Sequence, residues 1–107
     1  MDFGLSKEVL EQIKNIVNEN QKYIFKIFGS RAKNTYKKTS DIDIAIFENV
    51  AKEDEYKIRN SFDLLNIVYK IDLVFINKHT KPEFLKRIME EGIEIKWKDS
   101  KKENKIW

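Results

Sequence analysis

Two aspartates alternate with isoleucines in the segment Asp41-Ile42-Asp43-Ile44-Ala45-Ile46. A period of two sends successive side chains to opposite faces of a β-strand, so the isoleucines share one face and both aspartates share the other. At that spacing the aspartate backbones lie roughly 6 to 7 Å apart. The pattern predicts a strand over residues 41–47, with an apolar face against the core and a pair of carboxylates on the opposite face.

Apolar residues in the rest of the chain recur at the spacings of helices and short strands. Ser6 is a good N-cap for the first helix, and Thr80 with Glu83 has the spacing of a capping box for the third. In the first half of the chain we expect a helix over 6–20, a strand over 23–28, a polar loop over 31–40 with room for one helical turn, and the strand over 41–47. A helix over 51–69, whose apolar positions include Tyr56 and Val68, and a strand over 71–76 should follow. The chain should then form a helix that ends at Gly92 and an edge strand through Ile93, Ile95 and Trp97.

This order of elements is typical of an α/β domain in which helices cover a small sheet. The 107 residues suffice for one modest core, so residues 1–107 are expected to form a single domain. There is no apolar run long enough for a membrane span and no signal-peptide pattern at the start, so we expect a cytoplasmic protein without a membrane partner. The absence of cysteine excludes disulfides and thiolate metal sites.

A third aspartate, Asp72, occupies the second position of the apolar strand Ile71-Asp72-Leu73-Val74-Phe75-Ile76. An unpaired carboxylate is costly to bury in such a strand, and if the strand lies beside residues 41–47, Asp72 joins the other two aspartates. Three close carboxylates repel one another unless cations neutralise them. Two magnesium ions bound there would suit phosphoryl or nucleotidyl transfer, in which two metal ions hold the attacking and the leaving oxygens.

The pair Gly29-Ser30 follows the strand over 23–28 directly. Glycine allows a ligand to approach the backbone, and backbone amides together with the Ser30 hydroxyl can hold phosphate oxygens. Arg31 and Lys33 follow, and Arg31 is the better candidate for a bidentate contact with a triphosphate. Each feature alone has a common structural explanation, such as a turn, a capping pair or a salt bridge. Only their ordered combination favours a nucleotide-binding site.

The combination Gly29-Ser30-Arg31-Ala32, then Ser40-Asp41-Ile42-Asp43, then Asp72 closely resembles the minimal nucleotidyltransferase family of the DNA polymerase β-like superfamily. The resemblance implies an α/β (α+β) nucleotidyltransferase fold with a small mixed sheet flanked by helices. It also implies that Gly29 and Ser30 hold the triphosphate, that Asp41 and Asp43 bind two magnesium ions, and that Asp72 binds the catalytic metal and activates the acceptor hydroxyl. One departure is Asn34, which stands where the family often has glycine; asparagine tolerates the left-handed backbone that the loop requires.

Stand-alone members of this family resemble the antitoxins of two-gene pairs whose partner is an all-helical HEPN ribonuclease toxin. By that analogy the chain transfers AMP from ATP to a hydroxyl of the toxin, most simply of a tyrosine, and forms a hetero-oligomer with it. The chain is too short for the separate substrate domain of larger relatives, which agrees with an acceptor supplied by a partner protein.

Two other functions remain open from the sequence. The first is a non-catalytic nucleotide-binding module that neutralises its partner by contact alone; the intact aspartates favour the enzyme. The second is direct binding of nucleic acid, to which the net charge of +3 and the pI near 9.0 lend only weak support. The lysines are scattered before the tail over residues 96–105, and there is no reader motif for nucleic acid.

Overall fold

The computed structural model describes residues 2–96; Trp97 and the lysine-rich tail lie outside the described residues. The elements in chain order are α1 (Lys7–Asn18), β1 (Ile24–Phe28), α2 (Ser30–Lys33), β2 (Ile42–Phe47), α3 (Lys52–Asp63), β3 (Ile71–Phe75), α4 (Pro82–Glu91) and β4 (Ile93–Glu94). None of the helices within residues 2–96 has the length and apolar character that crossing a bilayer requires.

The strands form one mixed sheet in the order β3-β2-β1-β4. β1 and β2 are antiparallel neighbours, β2 and β3 are parallel, and β4 pairs antiparallel with β1 at one edge. The predicted α/β (α+β) class, with a small mixed sheet flanked by helices, is confirmed. The predicted edge position of the last strand is also confirmed, over the two residues that pair.

Helices cover both faces of the sheet. On one face α1 and α3 pack against Ile42, Ile44 and Ile46, each of which is fully buried. On the other face α4 packs through Ile88 against Phe28 and Ala45. The alternation along β2 therefore separates the two cores as predicted, because every second side chain belongs to the same layer.

α1 begins where the sequence predicts. The Ser6 hydroxyl accepts a hydrogen bond from the Val9 amide at 3.2 Å, which satisfies one of the free amides of the first helical turn. Ile13, Ile16 and Val17 form the buried stripe of this helix.

The prediction of a helix over residues 51–69 is wrong at its C-terminal end, because α3 stops at Asp63. β2 and β3 are parallel, so the connection must return the chain from the end of β2 to the start of β3. Twelve helical residues span roughly 18 Å, which matches the length of a short strand, whereas a helix to Tyr69 would overshoot by about 9 Å. Val68, counted in the predicted apolar face, is 93% exposed, and Tyr56 is 77% exposed.

The capping box predicted at Thr80 is also wrong. The N-cap of α4 is Lys81, and the Thr80 hydroxyl accepts instead from the Asn77 amide at 3.0 Å. Thr80 thus stabilises the turn before the helix rather than the helix itself. Pro82 is the first residue of α4, a favourable position because proline has no amide to leave unpaired in the first turn.

Candidate functional site

Asp43 and Asp72 are direct neighbours across the parallel pair β2–β3. Both side chains stand on the sheet face that carries Ala45 and Val74, opposite the isoleucine face. The sequence predicted that Asp72 would join the other aspartates if its strand lay beside β2, and the register brings Asp43 and Asp72 together.

The carboxyl group of Asp43 is held in an unfavourable environment for a negative charge. Burial raises the pKa of Asp43, and the charges of Asp72 and Asp41 and hydrogen bonding with Asp72 raise it further. Each of these effects disfavours the ionised form. Lys70 partly offsets the charge of Asp72, with its Nζ 3.8 Å from Oδ1, but the carboxyl group of Asp43 remains in an environment that a bound cation would relieve.

Asp41 lies one residue before β2, at the same end of the strand as Asp43, and its side chain is exposed. It is near enough to raise the pKa of Asp43 by its charge. The three aspartates thus lie at one end of β2 and β3, and the charges of both Asp41 and Asp72 act on Asp43.

These residues fit a magnesium site that the substrate would complete. Within residues 2–96 no three acidic or histidine side chains converge closely enough to hold a metal ion by themselves. Magnesium is usually bound by one or two carboxylates together with water and substrate phosphates rather than by an all-protein cage. Two adjacent carboxylates with a third nearby supply the oxygen donors for such an open site.

Gly29, the residue directly after β1, contacts the carboxylate of Asp43. It follows Phe28, which pairs with Asp43 across β1 and β2, and its backbone has φ 77° and ψ −155°, a region that is essentially restricted to glycine. A Cβ atom at Gly29 would stand 2.6 Å from Oδ2 of Asp43. The glycine is therefore required twice, by its backbone conformation and by the closeness of the Asp43 side chain.

Ser30 opens the short helix α2 beside Gly29 and is partly exposed. The Gly29 carbonyl accepts from the Ala32 and Lys33 amides, both at 3.1 Å, which fixes the turn. Asn34 ends α2 in the left-handed conformation with φ 64° and ψ 32°. Asn34 thus adopts the left-handed backbone that the sequence analysis expected of this position.

Arg31 is not available for the nucleotide in this structure, contrary to the expectation from sequence. Its side chain is buried, with 1% exposure. Nη1 donates to the Phe3 carbonyl at 2.9 Å, and Nη2 and Nε donate to the Ser40 carbonyl at 2.9 and 3.2 Å. Because the guanidinium donates its hydrogen bonds to backbone carbonyls, Arg31 stabilises the loop between α2 and β2 and does not face the proposed phosphate turn.

Two tyrosines that sequence reasoning missed enclose Arg31. The guanidinium lies over the ring of Tyr36 at 5.2 Å and over that of Tyr69 at 4.8 Å. Gly4 packs beneath Tyr36, since a Cβ at Gly4 would stand 2.3 Å from the ring. The contacts of Arg31 with the two tyrosines and of Gly4 with Tyr36 join segments that are distant in sequence, so no local sequence pattern predicts them.

Lys33, the other basic residue of the motif, lies at the surface. Its Nζ is 3.9 Å from Oε2 of Glu91 on α4, and its side chain is 49% exposed. A pair of this kind is weak in water and leaves the ammonium free to reorient toward an anion.

Residues 11–101 match the family described as "Polymerase beta, Nucleotidyltransferase". A protein of Methanocaldococcus jannaschii named "Putative protein adenylyltransferase MJ1217" is 39% identical over 93 residues, covering 83% of this chain and 93% of that protein.

Two solved structures are similar to the fold. One is a toxin-antitoxin with AMP-PNP, which has a TM-score of 0.56 at 20% identity and covers 88% of this chain and 77% of that one. The other is a mutant of the toxin-antitoxin MntA-HpeT, which has a TM-score of 0.57 at 19% identity and covers 92% of this chain and 78% of that one. At such identities the likeness establishes the shared fold.

Proposed function

The chain belongs to the polymerase β nucleotidyltransferase family, and on that premise we propose that it transfers AMP from ATP to a hydroxyl group of a partner protein in a magnesium-dependent reaction. The observation that carries the proposal is the register pair Asp43–Asp72, with Gly29 packed against the Asp43 carboxylate. This juxtaposition supports the proposal because the turn at Gly29 and the carboxylates of Asp43 and Asp72 lie side by side at one end of the sheet.

The residues of the site take distinct roles in the proposal. Gly29 and Ser30 bind the triphosphate, because the turn has no side chain at Gly29 to exclude phosphate oxygens. Asp41, Asp43 and Asp72 provide the oxygen ligands for magnesium, which neutralises the charge that develops on the phosphates. Arg31 acts indirectly, by fixing the loop that leads from Ser30 to Asp41.

Asp72 accepts the proton of the acceptor hydroxyl in this scheme. The hydroxyl oxygen attacks the α-phosphorus of ATP, a new P–O bond forms, and the bond to the β-phosphate oxygen breaks, so pyrophosphate leaves. Asp72 stands on β3, away from Gly29 with Asp43 between them, so an acceptor beside it would approach opposite the leaving pyrophosphate. An in-line displacement needs that arrangement.

The acceptor is proposed to be a tyrosine hydroxyl of a HEPN-type ribonuclease toxin, with this chain as the cytoplasmic antitoxin of the pair. Support comes from the names of the relatives: one is called a protein adenylyltransferase, and the two fold neighbours are toxin-antitoxin structures, one of them with AMP-PNP.

The position of the label on ATP tests the reaction. The chain is incubated with magnesium, the purified toxin and ATP labelled in either the α- or the γ-phosphate. The proposal predicts α-label on the toxin and γ-label in released pyrophosphate. Label from the γ-position on the toxin would make the chain a kinase, and no label from either position on a toxin that is nevertheless bound would favour neutralisation by contact.

A further inference from the structure

A groove lies beside Asp72 along the outer edge of β3. Its volume is about 440 Å³, and its lining comes from the end of α3, from the connecting segment and from β3. The lining includes Ile71 and Leu73, which pack on the α3 side of the sheet, and Asp72, which faces the other side. Because residues of both faces line it, the groove follows the edge of the strand rather than either face. Asp72 is the only one of the three site aspartates in this lining.

The edge of β3 is open within the described part of the chain. β3 pairs with β2 on one side, and no other strand of residues 2–96 pairs with it. The Lys70 carbonyl accepts a hydrogen bond from the Ile42 amide, and the Ile76 amide donates one to the Ile46 carbonyl, so the backbone groups of the even-numbered residues point toward β2. Because backbone groups alternate in direction along a strand, the amides and carbonyls of Ile71, Leu73 and Phe75 point outward, away from β2.

This edge has only part of the protection that natural sheets give to free strands. Lys70 directly precedes β3, and its Nζ lies 3.8 Å from Oδ1 of Asp72, but the strand Ile-Asp-Leu-Val-Phe contains no proline, and it pairs with β2 in continuous register without a bulge. At the opposite edge β4 forms only two residues of strand. β3 is thus the longer and less protected of the two edges, and it carries the aspartate proposed to activate the acceptor.

Arg59 of α3 also lines the groove and is held in place there. Its Nε and Nη2 both donate to Oε2 of Glu55, at 3.1 and 3.0 Å, and its guanidinium lies 4.7 Å from the ring centre of Phe75. An arginine whose rotamer is already fixed loses little entropy when a partner binds. Exposed Tyr56 lies one turn before Arg59 on the same helix face and adds apolar area next to the groove.

We propose that an acceptor segment outside the helices of the partner protein binds as an added β-strand along the outer edge of β3, with its hydroxyl residue beside Asp72. The inference rests on the proposed function for the role of Asp72, and it adds the surface and the conformation in which the acceptor is recognised. Main-chain hydrogen bonds to Ile71, Leu73 and Phe75 supply the affinity, and the groove receives alternate side chains of the segment. In the direction from β1 to the outer edge of β3, the proposed phosphate turn comes first, followed by Asp43 on β2, Asp72 on β3 and the added acceptor strand.

Amide hydrogen exchange, resolved by residue and measured with the purified HEPN-type toxin in the absence of ATP and magnesium, tests the binding mode. The amides of Leu73 and Phe75 are expected to exchange more slowly in the complex than in the free chain. A complex that forms without slowing these two amides overturns the proposal, as does a toxin that does not bind. Protection of the same amides in the free chain that grows with its own concentration overturns it too, because a second copy would then occupy the edge.

A matched pair of arginine variants provides the second measurement. Arg87 resembles Arg59: it contacts a glutamate four residues later at 4.0 Å, lies 5.8 Å from an aromatic ring centre, and has a side chain 59% exposed against 51% for Arg59. Arg59→Ala should raise the Kd for the toxin roughly tenfold, and Arg87→Ala should not change it. Equal effects of the two variants contradict the proposal.

The two proposals fail separately. Protected amides and an Arg59 effect without AMP transfer would leave the docking surface intact and refute the enzyme activity. If transfer occurs, Arg59→Ala should raise KM for the toxin and leave KM for ATP unchanged, since Arg59 lies on the acceptor side of Asp72. Transfer with an unchanged KM for the toxin in Arg59→Ala would refute the docking surface alone.

Discussion

Gly29 and Asp43 fit together so closely that a single methyl group at Gly29 would stand 2.6 Å from the carboxylate oxygen Oδ2 of Asp43. Asp43 lies on β2, and Gly29 directly follows the neighbouring antiparallel strand β1, where its positive φ turns the backbone away just after the Phe28–Asp43 pair. The proposed phosphate turn and the proposed metal ligand are therefore in direct contact, so a change at Gly29 is transmitted to Asp43.

Gly29→Ala is expected to lower the free energy of unfolding by about 1 to 3 kcal/mol, because alanine is strained in this backbone region. It should reduce AMP transfer more severely than this loss of stability explains, since the new methyl group displaces the Asp43 carboxylate. Urea unfolding and the initial transfer rate measure the two effects. In an Asp43→Ala background the same substitution should cost less stability; an equal cost in both backgrounds would mean that the contact with Asp43 is irrelevant.

Asp43→Asn is expected to stabilise the metal-free chain at neutral pH. The pKa of Asp43 is raised in the folded state, mainly by burial and then by Asp72 and Asp41, so the folded chain holds this proton more tightly than the unfolded chain, whose ordinary value is 3.8. Stability of the metal-free wild type therefore falls as the pH rises from near 3.8 through the raised folded pKa, whereas asparagine does not titrate. Thermal unfolding of both proteins in EDTA across this window should give a difference in Tm that grows with pH. A difference independent of pH would contradict the account.

Magnesium together with a non-hydrolysable ATP analogue should make the wild type more stable than Asp43→Asn, the reverse of the order expected without metal. Binding to the folded state alone stabilises it by about 2.7 kcal/mol at a ligand concentration 100 times Kd. The wild type should gain this stability, and Asp43→Asn and Asp72→Asn should gain much less, because each lacks a charged oxygen ligand. Calorimetric scans with and without EDTA report the shift. Equal gains in all three proteins would exclude these aspartates from the metal site.

Arg31→Ala is expected to be strongly destabilising, by about 3 kcal/mol, because it leaves the Phe3 and Ser40 carbonyls without their donors and opens a space between Tyr36 and Tyr69. The exposed Arg87→Ala is the control and should change stability by less than about 0.5 kcal/mol. An Arg31→Ala protein with wild-type stability and a raised KM for ATP would restore the role in nucleotide binding that the sequence suggested.

The chemistry-bearing residues were the predictable part of this chain, for a physical reason. Asp41 and Asp43 interrupt an isoleucine strand, and Asp72 interrupts an apolar one; a carboxylate in such a place needs a partner, and period two fixes the face on which it lies. The place of Gly29 directly after a strand also follows from local sequence. Each of these inferences needs only the few residues around the position concerned.

The role of Arg31 and the residue at which α3 ends could not be predicted from the local sequence. Arg31 is buried because Phe3, Lys38 and Ser40 turn their carbonyls toward it, and those segments meet only in the folded chain. α3 ends at Asp63 because a parallel strand must follow at a fixed distance, although the apolar spacing continues beyond that residue. Tertiary geometry overrides local pattern in both cases.

The most direct test of the central claim compares transfer with binding in the same protein. Asp43→Asn and Asp72→Asn are each mixed with the HEPN-type toxin, labelled ATP and magnesium, and both the label on the toxin and the amount of complex are measured. The account predicts that both variants lose AMP transfer by a factor of about 100 or more. Asp43→Asn, whose position is not part of the groove lining, should still bind the toxin as the wild type does. Variants that bind the toxin and still transfer AMP at the wild-type rate would contradict it, because Asp43 and Asp72 would then not be the residues that carry the chemistry.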